Sequence, residues 1–298
     1  MTKSGYILAI GEALVDLLTT DFVADLSHTV TLRAVAGGSP ANLCRFVQAA
    51  GGQARLVAAV GQDGLGELLL RELAAAGLST AHVARLPDAA TSLVVVGRSH
   101  ATPSFIPYRS ADRHLPPVPP ALLAGAAVVH TTAFALSQEP AQTRILAALA
   151  AAAAQGIPVS VDWNYAAPIW LPADHSVAVW AQLLAHRPLL KVSLDDVVRF
   201  AGLPAGADAE AAKAFLTALP ARAVCLTCGG DGVWFRTGAE GGAWQHQPAA
   251  PVAQVHDATG AGDAFWAGFL TSWMRELGLN DCVAAGQHLA ARRLQGEL

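Results

Sequence analysis

Short apolar runs with the character of β-strands alternate with helical patterns along this chain, and that alternation decides the class of fold. Tyr6–Ile10, Arg55–Val60, Ala126–His130, Pro158–Asp162, Leu189–Val192 and Ala223–Thr227 read as strands. Between them lie helical patterns: Ala41–Ala50, entered through Ser39-Pro40; a face of Leu65, Leu68, Leu69 and Leu73 behind an Asp63 cap; Glu139–Gln155, stopped by Gly156 and Pro158; and a stripe of Val177, Trp180, Ala181 and Leu184. The apolar helix Ala264–Trp273 follows the last strand. Continuously apolar strands joined through helices imply a parallel sheet covered on both faces, a three-layer α/β sandwich. Two stretches, at about 14–35 and 92–108, carry strand patterns with no helix between them. Parallel pairing needs crossover helices, so these stretches are expected to form a small, discontinuous antiparallel lid beside the main sheet. One domain over 1–298 accommodates all of this.

Composition narrows the partners. Of 298 residues, 53% are hydrophobic and 14% charged, and the net charge is −4. Such a chain buries a large core, and it lacks the basic surplus that a nucleic-acid backbone demands. The alanine-rich Ile145–Ala154 is too short to span a bilayer. The four cysteines, Cys44, Cys225, Cys228 and Cys282, are too few and scattered for a disulfide scaffold, so a soluble, reduced, cytoplasmic protein is expected. Cys225 and Cys228 form a C-x-x-C without a second ligand pair and read as structural.

In open α/β sheets ligands sit beyond the carboxyl ends of the strands. Polar and glycine-rich residues collect there: Gly11-Glu12 and Asp16, Asp162-Trp163-Asn164, Ser193 with Asp195 and Asp196, and Thr227-Cys228-Gly229-Gly230-Asp231-Gly232. The most informative segment is Asp257-Ala258-Thr259-Gly260-Ala261-Gly262-Asp263, just before the last apolar helix. Consecutive amides are left unpaired at such a helix start, and the helix dipole adds partial positive charge, which makes an anion site. A carboxylate in that first turn, Asp263, makes chemical sense where it removes a proton as negative charge arrives.

Asp257–Asp263 followed by Ala264-Phe265 resembles the C-terminal signature of the PfkB (ribokinase-like) carbohydrate kinases. Gly37-Gly38-Ser39-Pro40-Ala41-Asn42 resembles their N-terminal signature, and Val60–Gly66 their next block. Gly11–Asp16, together with Phe105, Tyr108, Arg109, Ala111, Asp112 and Leu115, is similar to fructokinase-like members. The resemblance implies a ribokinase-like fold and ATP- and Mg²⁺-dependent phosphorylation of a sugar hydroxyl. Asp263 is then the base, and Gly260, Ala261 and Gly262 supply amides to the transferring phosphoryl group. Asp16, Gly37, Gly38, Asn42, Arg109 and Glu139 fall on sugar-contacting positions, with the glycines admitting the ring. Asn164, Lys191, Thr227, Gly229 and Gly232 fall on nucleotide-side positions. Asp196 falls near the metal's waters, and Asp257 on a monovalent-cation (K⁺) site of some relatives. Relatives pair across the lid, so a homodimer is expected.

The chain departs from the family pattern at Ala166, where many fructokinase- and ketodeoxygluconate kinase-like members carry an arginine, and at Ser193 and Asp196, where asparagine and glutamate are common. Loss of that arginine favours a neutral sugar such as fructose over ketodeoxygluconate, since guanidinium is the best partner for a carboxylate. Arg109 keeps the sugar acid open, ribose is a further alternative, and a catalytically silent sugar or nucleotide sensor is the non-enzyme reading. The chain has no P-loop, which excludes P-loop chemistry, and no G-x-G-x-x-G turn follows its first strand, which disfavours a nicotinamide-dependent Rossmann enzyme.

Overall fold

The structure is a computed structural model that describes residues 5–28, 31–98, 104–170, 172, 174–238 and 242–298. Parts of the expected lid, 29–30 and 99–103, lie outside the described residues. The strands are β1 (Tyr6–Ile10), β2 (Leu14–Thr19), β3 (Leu32–Gly37), β4 (Ala54–Gly61), β5 (Val83–Leu86), β6 (Leu93–Gly97), β7 (Ser104–Tyr108), β8 (Ala126–Thr132), β9 (Val159–Asp162), β10 (Leu189–Ser193), β11 (Ala223–Thr227), β12 (Val233–Thr237) and β13 (Gln245–Gln247). The helices are α1 (Ser39–Ala49), α2 (Gly64–Ala75), α3 (Pro120–Ala124), α4 (Ala133–Leu136), α5 (Ala141–Ala154), α6 (Asp174–Leu184), α7 (Leu194–Phe200), α8 (Ala209–Thr217), α9 (Ala261–Met274) and α10 (Leu279–Leu294).

Nine strands form the main sheet in the order β13-β12-β11-β10-β9-β8-β1-β4-β5. Pairing is parallel from β11 to β5, with β12 and β13 added antiparallel at one edge. The carboxyl ends of the parallel strands therefore share one edge. A second sheet, β3-β2-β6-β7, stands apart. Its outer pairs are antiparallel and its central pair, β2 with β6, is parallel.

Alternation along β1 shows how the layers form. Leu8 and Ile10 enter the core under α5, α6 and α8, while Ile7 packs with α1, α9 and α10 on the other face. Every residue of β1 is buried, as a sheet covered on both sides requires. The stripe on α6 is rotated from the expected one. Val179, Trp180 and Leu183 are buried, Val177 is 57% exposed, and the core position beside it is filled by Trp180 against Trp163 and Phe200.

Helix α9 is tied to the sheet by more than apolar area. Trp266 donates its indole N–H to Ser160 Oγ at 2.9 Å, and Ser160 Oγ lies 3.0 Å from His130 Nδ1. Burial, followed by the nearby Lys191 charge, holds His130 neutral with its pKa lowered to about 3. Trp266 lies one turn after Asp263, so this contact fixes the start of α9 over the carboxyl ends of β8 and β9.

Helices α9 and α10 meet backbone to backbone. A Cβ on Gly286 would lie 2.6 Å from Phe265 O, and one on Gly268 would lie 2.6 Å from Ala285 O. Gly286→Ala is expected to destabilise the fold by about 1–3 kcal/mol through overpacking. Urea unfolding of the variant against the parent checks this, and unchanged stability would refute the close approach.

Candidate active site

The site assembles where β1, β8, β9 and β10 end and α1 and α9 begin. α1 follows the return of the chain from the small sheet through Gly37-Gly38. Gly38 is its N-cap at φ 95° and makes no side-chain cap bond. Ser39 is therefore not the cap that its place before Pro40 suggests. Its hydroxyl donates instead to Asp263 Oδ1 at 2.6 Å, and Asn42 Nδ2 donates to Asp263 Oδ2 at 3.1 Å.

Asp263 is half-buried in the first turn of α9. Burial and the charge of Asp162 raise its pKa to about 6, against hydrogen bonds from Ser39 and Asn42 and the charge of Lys191. The preceding turn is opened by Gly260 in the left-handed region, φ 76°. Ala261 N–H donates to Ala258 O at 3.1 Å, so this amide is not free as the sequence reading had it. Among the described residues the N–H groups of Gly260, Gly262 and Asp263 meet no protein acceptor. They leave the positive end of α9 open to an anion.

A buried ion pair lies beneath this turn. Asp162 and Lys191 are directly opposed on β9 and β10, and Lys191 Nζ donates to Asp162 Oδ1 at 3.0 Å and Oδ2 at 2.8 Å. A Cβ on Gly262 would lie 2.8 Å from Lys191 Nζ, so the absent side chain is what lets the ammonium come up against the amide turn. Burial works against the Lys191 charge, but Asp162, Asp196 and Asp263 outweigh it and hold its pKa above the ordinary value.

The residues at the end of β1 and on β2, where a sugar is expected, are acidic. Asp16 on β2 is pushed to about 7 by burial and by Asp263. A Cβ on Gly37 would collide with the Asp16 carboxylate, and one on Gly38 with the Glu12 backbone. These two glycines thus admit parts of this chain, where a sugar ring was expected. Glu12, 2% exposed, accepts from Ser39 N–H at 3.1 Å and from Thr132 Oγ1 at 3.2 Å, and burial raises its pKa to about 8.

On the nucleotide side, Thr227, Gly229 and Gly232 line a cleft of about 610 Å³ that ends at Ala261 and Gly262 and is walled by Val252, Val255 and Leu294. Asn164 stands at the end of β9, where its Oδ1 accepts from Phe134 N–H at 3.3 Å.

Several expected site residues have other partners. Arg109 is ion-paired to Asp112, donates to Phe134 O and Ser137 Oγ, and covers the Phe134 ring at 4.1 Å, so its charge is spent locally. Glu139 is exposed and accepts from Thr143 N–H and Oγ1 at the start of α5, outside the site. Asp257 is bound by Arg293 at 2.8 Å and by Thr259 N–H at 2.9 Å, so each of its oxygens already has a donor from this chain. Asp196 forms a capping box with Ser193 and lies 3.6 Å from Arg199 Nη1. Among the described residues no three His, Cys, Asp or Glu side chains converge as a metal cage. The sequence assigns no place in the site to Glu12 or to Asp162 as the partner of Lys191, and gives Ser39 only a capping role. Placement at strand ends was the available signal.

An amide turn at a helix start, a carboxylate within it and a cleft at the strand ends define a group-transfer site on a ribokinase-like fold. The sequence model of the pfkB family carbohydrate kinases matches residues 4–297. The chain belongs to that family and is a sugar kinase. It is 31% identical over 291 residues to the ATP-dependent 6-phosphofructokinase of Thermoanaerobacterium thermosaccharolyticum, covering 97% of this chain and 88% of that one. It is 31% identical over 288 residues to the fructokinase of Klebsiella pneumoniae, covering 95% and 88%. The fructokinase structure from Halothermothrix orenii superposes with a TM-score of 0.83 at 29% identity, covering 96% of this chain and 98% of that one.

Removing one partner of the Asp162–Lys191 pair leaves a buried charge uncompensated. Asp162→Asn is expected to cost about 3–5 kcal/mol. Chemical denaturation measures it, and a loss no larger than that of a typical exposed pair would contradict the burial described.

Proposed function

We propose that the protein transfers the γ-phosphoryl group of ATP to a primary hydroxyl of a neutral sugar, D-fructose giving fructose 6-phosphate. The observation that carries the reading is Asp263, oriented by two donors from α1 beside the unpaired amides of α9. Asp263 takes the proton of the attacking hydroxyl. The N–H groups of Gly260, Gly262 and Asp263 and the Lys191 ammonium balance charge on the transferring group, and Asn42 and Asp16 face the sugar. Phosphoryl transfer depends on this combination of positioning, fixed charge and an oriented nucleophile.

The cleft that ends at Gly262 suits a nucleoside triphosphate whose terminal phosphate meets the open amides. Mg²⁺ usually binds through phosphate oxygens, water and one or two carboxylates, so it needs no protein cage, and Asp196, whose Oδ2 is held by Ser193, would meet its water shell through Oδ1. When bound it neutralises phosphate charge.

A neutral sugar is favoured over a phosphorylated or acidic one by the charges around it. Asp263 and Asp16, with pKa values raised to about 6 and about 7, crowd the sugar side, Glu12 at about 8 adds no positive charge there, and Arg109 is neutralised by Asp112. Relatives with both names are similar to this chain, so the acceptor is decided by experiment. ADP release over fructose, fructose 6-phosphate, ketodeoxygluconate and ribose is expected to be stimulated most by fructose. Release without sugar stimulation would support the silent sensor instead.

A homodimer through the small sheet fits its exposed face. Register places Leu32, Ile106 and Tyr108 on one side of that sheet, at 40%, 44% and 57% exposure. Four free cysteines accord with a reducing, cytoplasmic setting, and no helix among the described residues is long and apolar enough to cross a membrane.

Asp263→Asn is expected to lower kcat by about 10²–10⁴-fold with ATP binding retained; wild-type turnover would refute the mechanism. The base works only as a carboxylate and its pKa is raised to about 6. Turnover should therefore fall on acidification through about pH 6 and level off above it, as a pH–kcat profile shows.

A further inference from the structure

The first turn of α1 carries a serine that does no capping. Serine at a helix start ordinarily satisfies an orphan amide through its side chain, yet here the N-cap position belongs to Gly38 and no side-chain cap bond exists. The Ser39 hydroxyl instead reaches across 224 positions of sequence to Asp263 Oδ1. Asn42, three residues further along α1, lies on the same helix face and reaches the other oxygen. Each carboxylate oxygen thus receives one donor and keeps acceptor capacity for a second.

We propose that Ser39 is a positioning residue for this reaction: its hydroxyl holds the Asp263 carboxylate in the orientation that receives the sugar's proton, and Glu12, through the Ser39 backbone N–H, holds Ser39. The inference rests on Asp263 being the base. A carboxylate at a helix start rotates about its own side-chain bonds unless both oxygens are engaged, and general-base catalysis requires the acceptor within hydrogen-bond reach of the proton. Two donors from one rigid helical turn supply that restraint.

Glu12 extends the restraint to the small sheet. It lies between β1 and β2, where the chain leaves the main sheet, and Ser39 follows β3, where the chain returns. The Glu12 carboxylate joins the two crossings by accepting from Ser39 N–H, and Thr132 at the end of β8 anchors its other oxygen. A Cβ on Gly11 would lie 2.7 Å from Pro40 Cγ, so the crossings are also packed against one another.

Electrostatics gives the role a signature. The groups facing Asp263 are Asp16 on β2, Asp162 on β9, Lys191 on β10, and Ser39 and Asn42 on α1. Arg293 of α10 approaches the same turn but is paired with Asp257. The carboxylates disfavour ionisation of Asp263, while the Ser39 hydroxyl donates to its charged form and favours it. Removing that donor raises the Asp263 pKa, and the base is then protonated at a higher pH.

The test compares the full-length protein with Ser39→Ala, Ser39→Thr and Asp263→Asn. It measures kcat and KM for fructose and ATP from pH 5 to pH 9, together with thermal unfolding. Ser39→Ala is expected to lose roughly tenfold in kcat near neutrality, with KM for ATP within about twofold of the parent. The acid limb of its profile should move up by about one pH unit. Ser39→Thr, which keeps the hydroxyl, should restore both rate and profile. If Ser39→Ala does not fold, Ser39→Cys carries the same comparison with a weak donor. A Ser39→Ala profile superimposable on the parent, beside an inactive Asp263→Asn, overturns the inference and leaves the base intact. A uniform loss at every pH, tracking lowered thermal stability, also overturns it. An active Asp263→Asn removes both the base and the inference.

Discussion

The candidate active site depends on the open positive end of α9 lying against the buried Lys191 ammonium. A buried ammonium without a counter-charge is costly. The chain resolves this with carboxylates: Asp162 pairs directly with Lys191, and Asp196 and Asp263 add to the field that keeps it charged. The result is a patch with donors in surplus on the cleft side and acceptors in surplus on the sugar side. In the proposed mechanism a phosphoryl group moving from one side to the other would pass between complementary charges, which is the condition for stabilising it in transit.

Holding that patch in place falls to the core. Trp266, Ser160 and His130 connect the middle of α9 to the sheet, and the neutral imidazole lets this polar contact exist in an apolar layer without an ionic cost. Phe265, Trp266, Phe269 and Trp273 form a run of ring contacts along the same helix, so its axis is set by packing as well as by hydrogen bonds. Trp273 is partly buried, and full burial of a large apolar side chain such as Phe265 or Phe269 contributes about 1.5–3 kcal/mol.

The layers of the fold were legible because parallel strands covered on both faces are written as unbroken apolar runs. Tyr6–Ile10 and Ala223–Thr227 have the same bounds in sequence and structure. The added edge strands β12 and β13 went unread, since they are short, follow a glycine turn and pair antiparallel outside the repeating rhythm. Periodicity misplaced the face of α6 because apolar Val177 points outward while Ser176 is buried. The site was legible as a set of places rather than of contacts. Polar residues at strand ends marked where it lies. Which carboxylate meets which cation depends on register: Asp162 finds Lys191 across neighbouring strands, whereas Arg109 finds Asp112 three residues away and Asp257 finds Arg293 from the last helix. Ser39 looked like a helix cap because capping is a local rule, and its long-range bond to Asp263 leaves no local trace.

The backbone contact between α9 and α10 also bears on how the enzyme adapts to its ligands. Ala261, Gly262 and Phe265 from one helix and Ala290, Ala291 and Leu294 from the other line the same cleft, and glycines at Gly268 and Gly286 leave no side chain between the helices to reorient. That wall behaves as a single stiff slab. Its spacing is set by the backbone contact itself and not by the rotamers of intervening side chains.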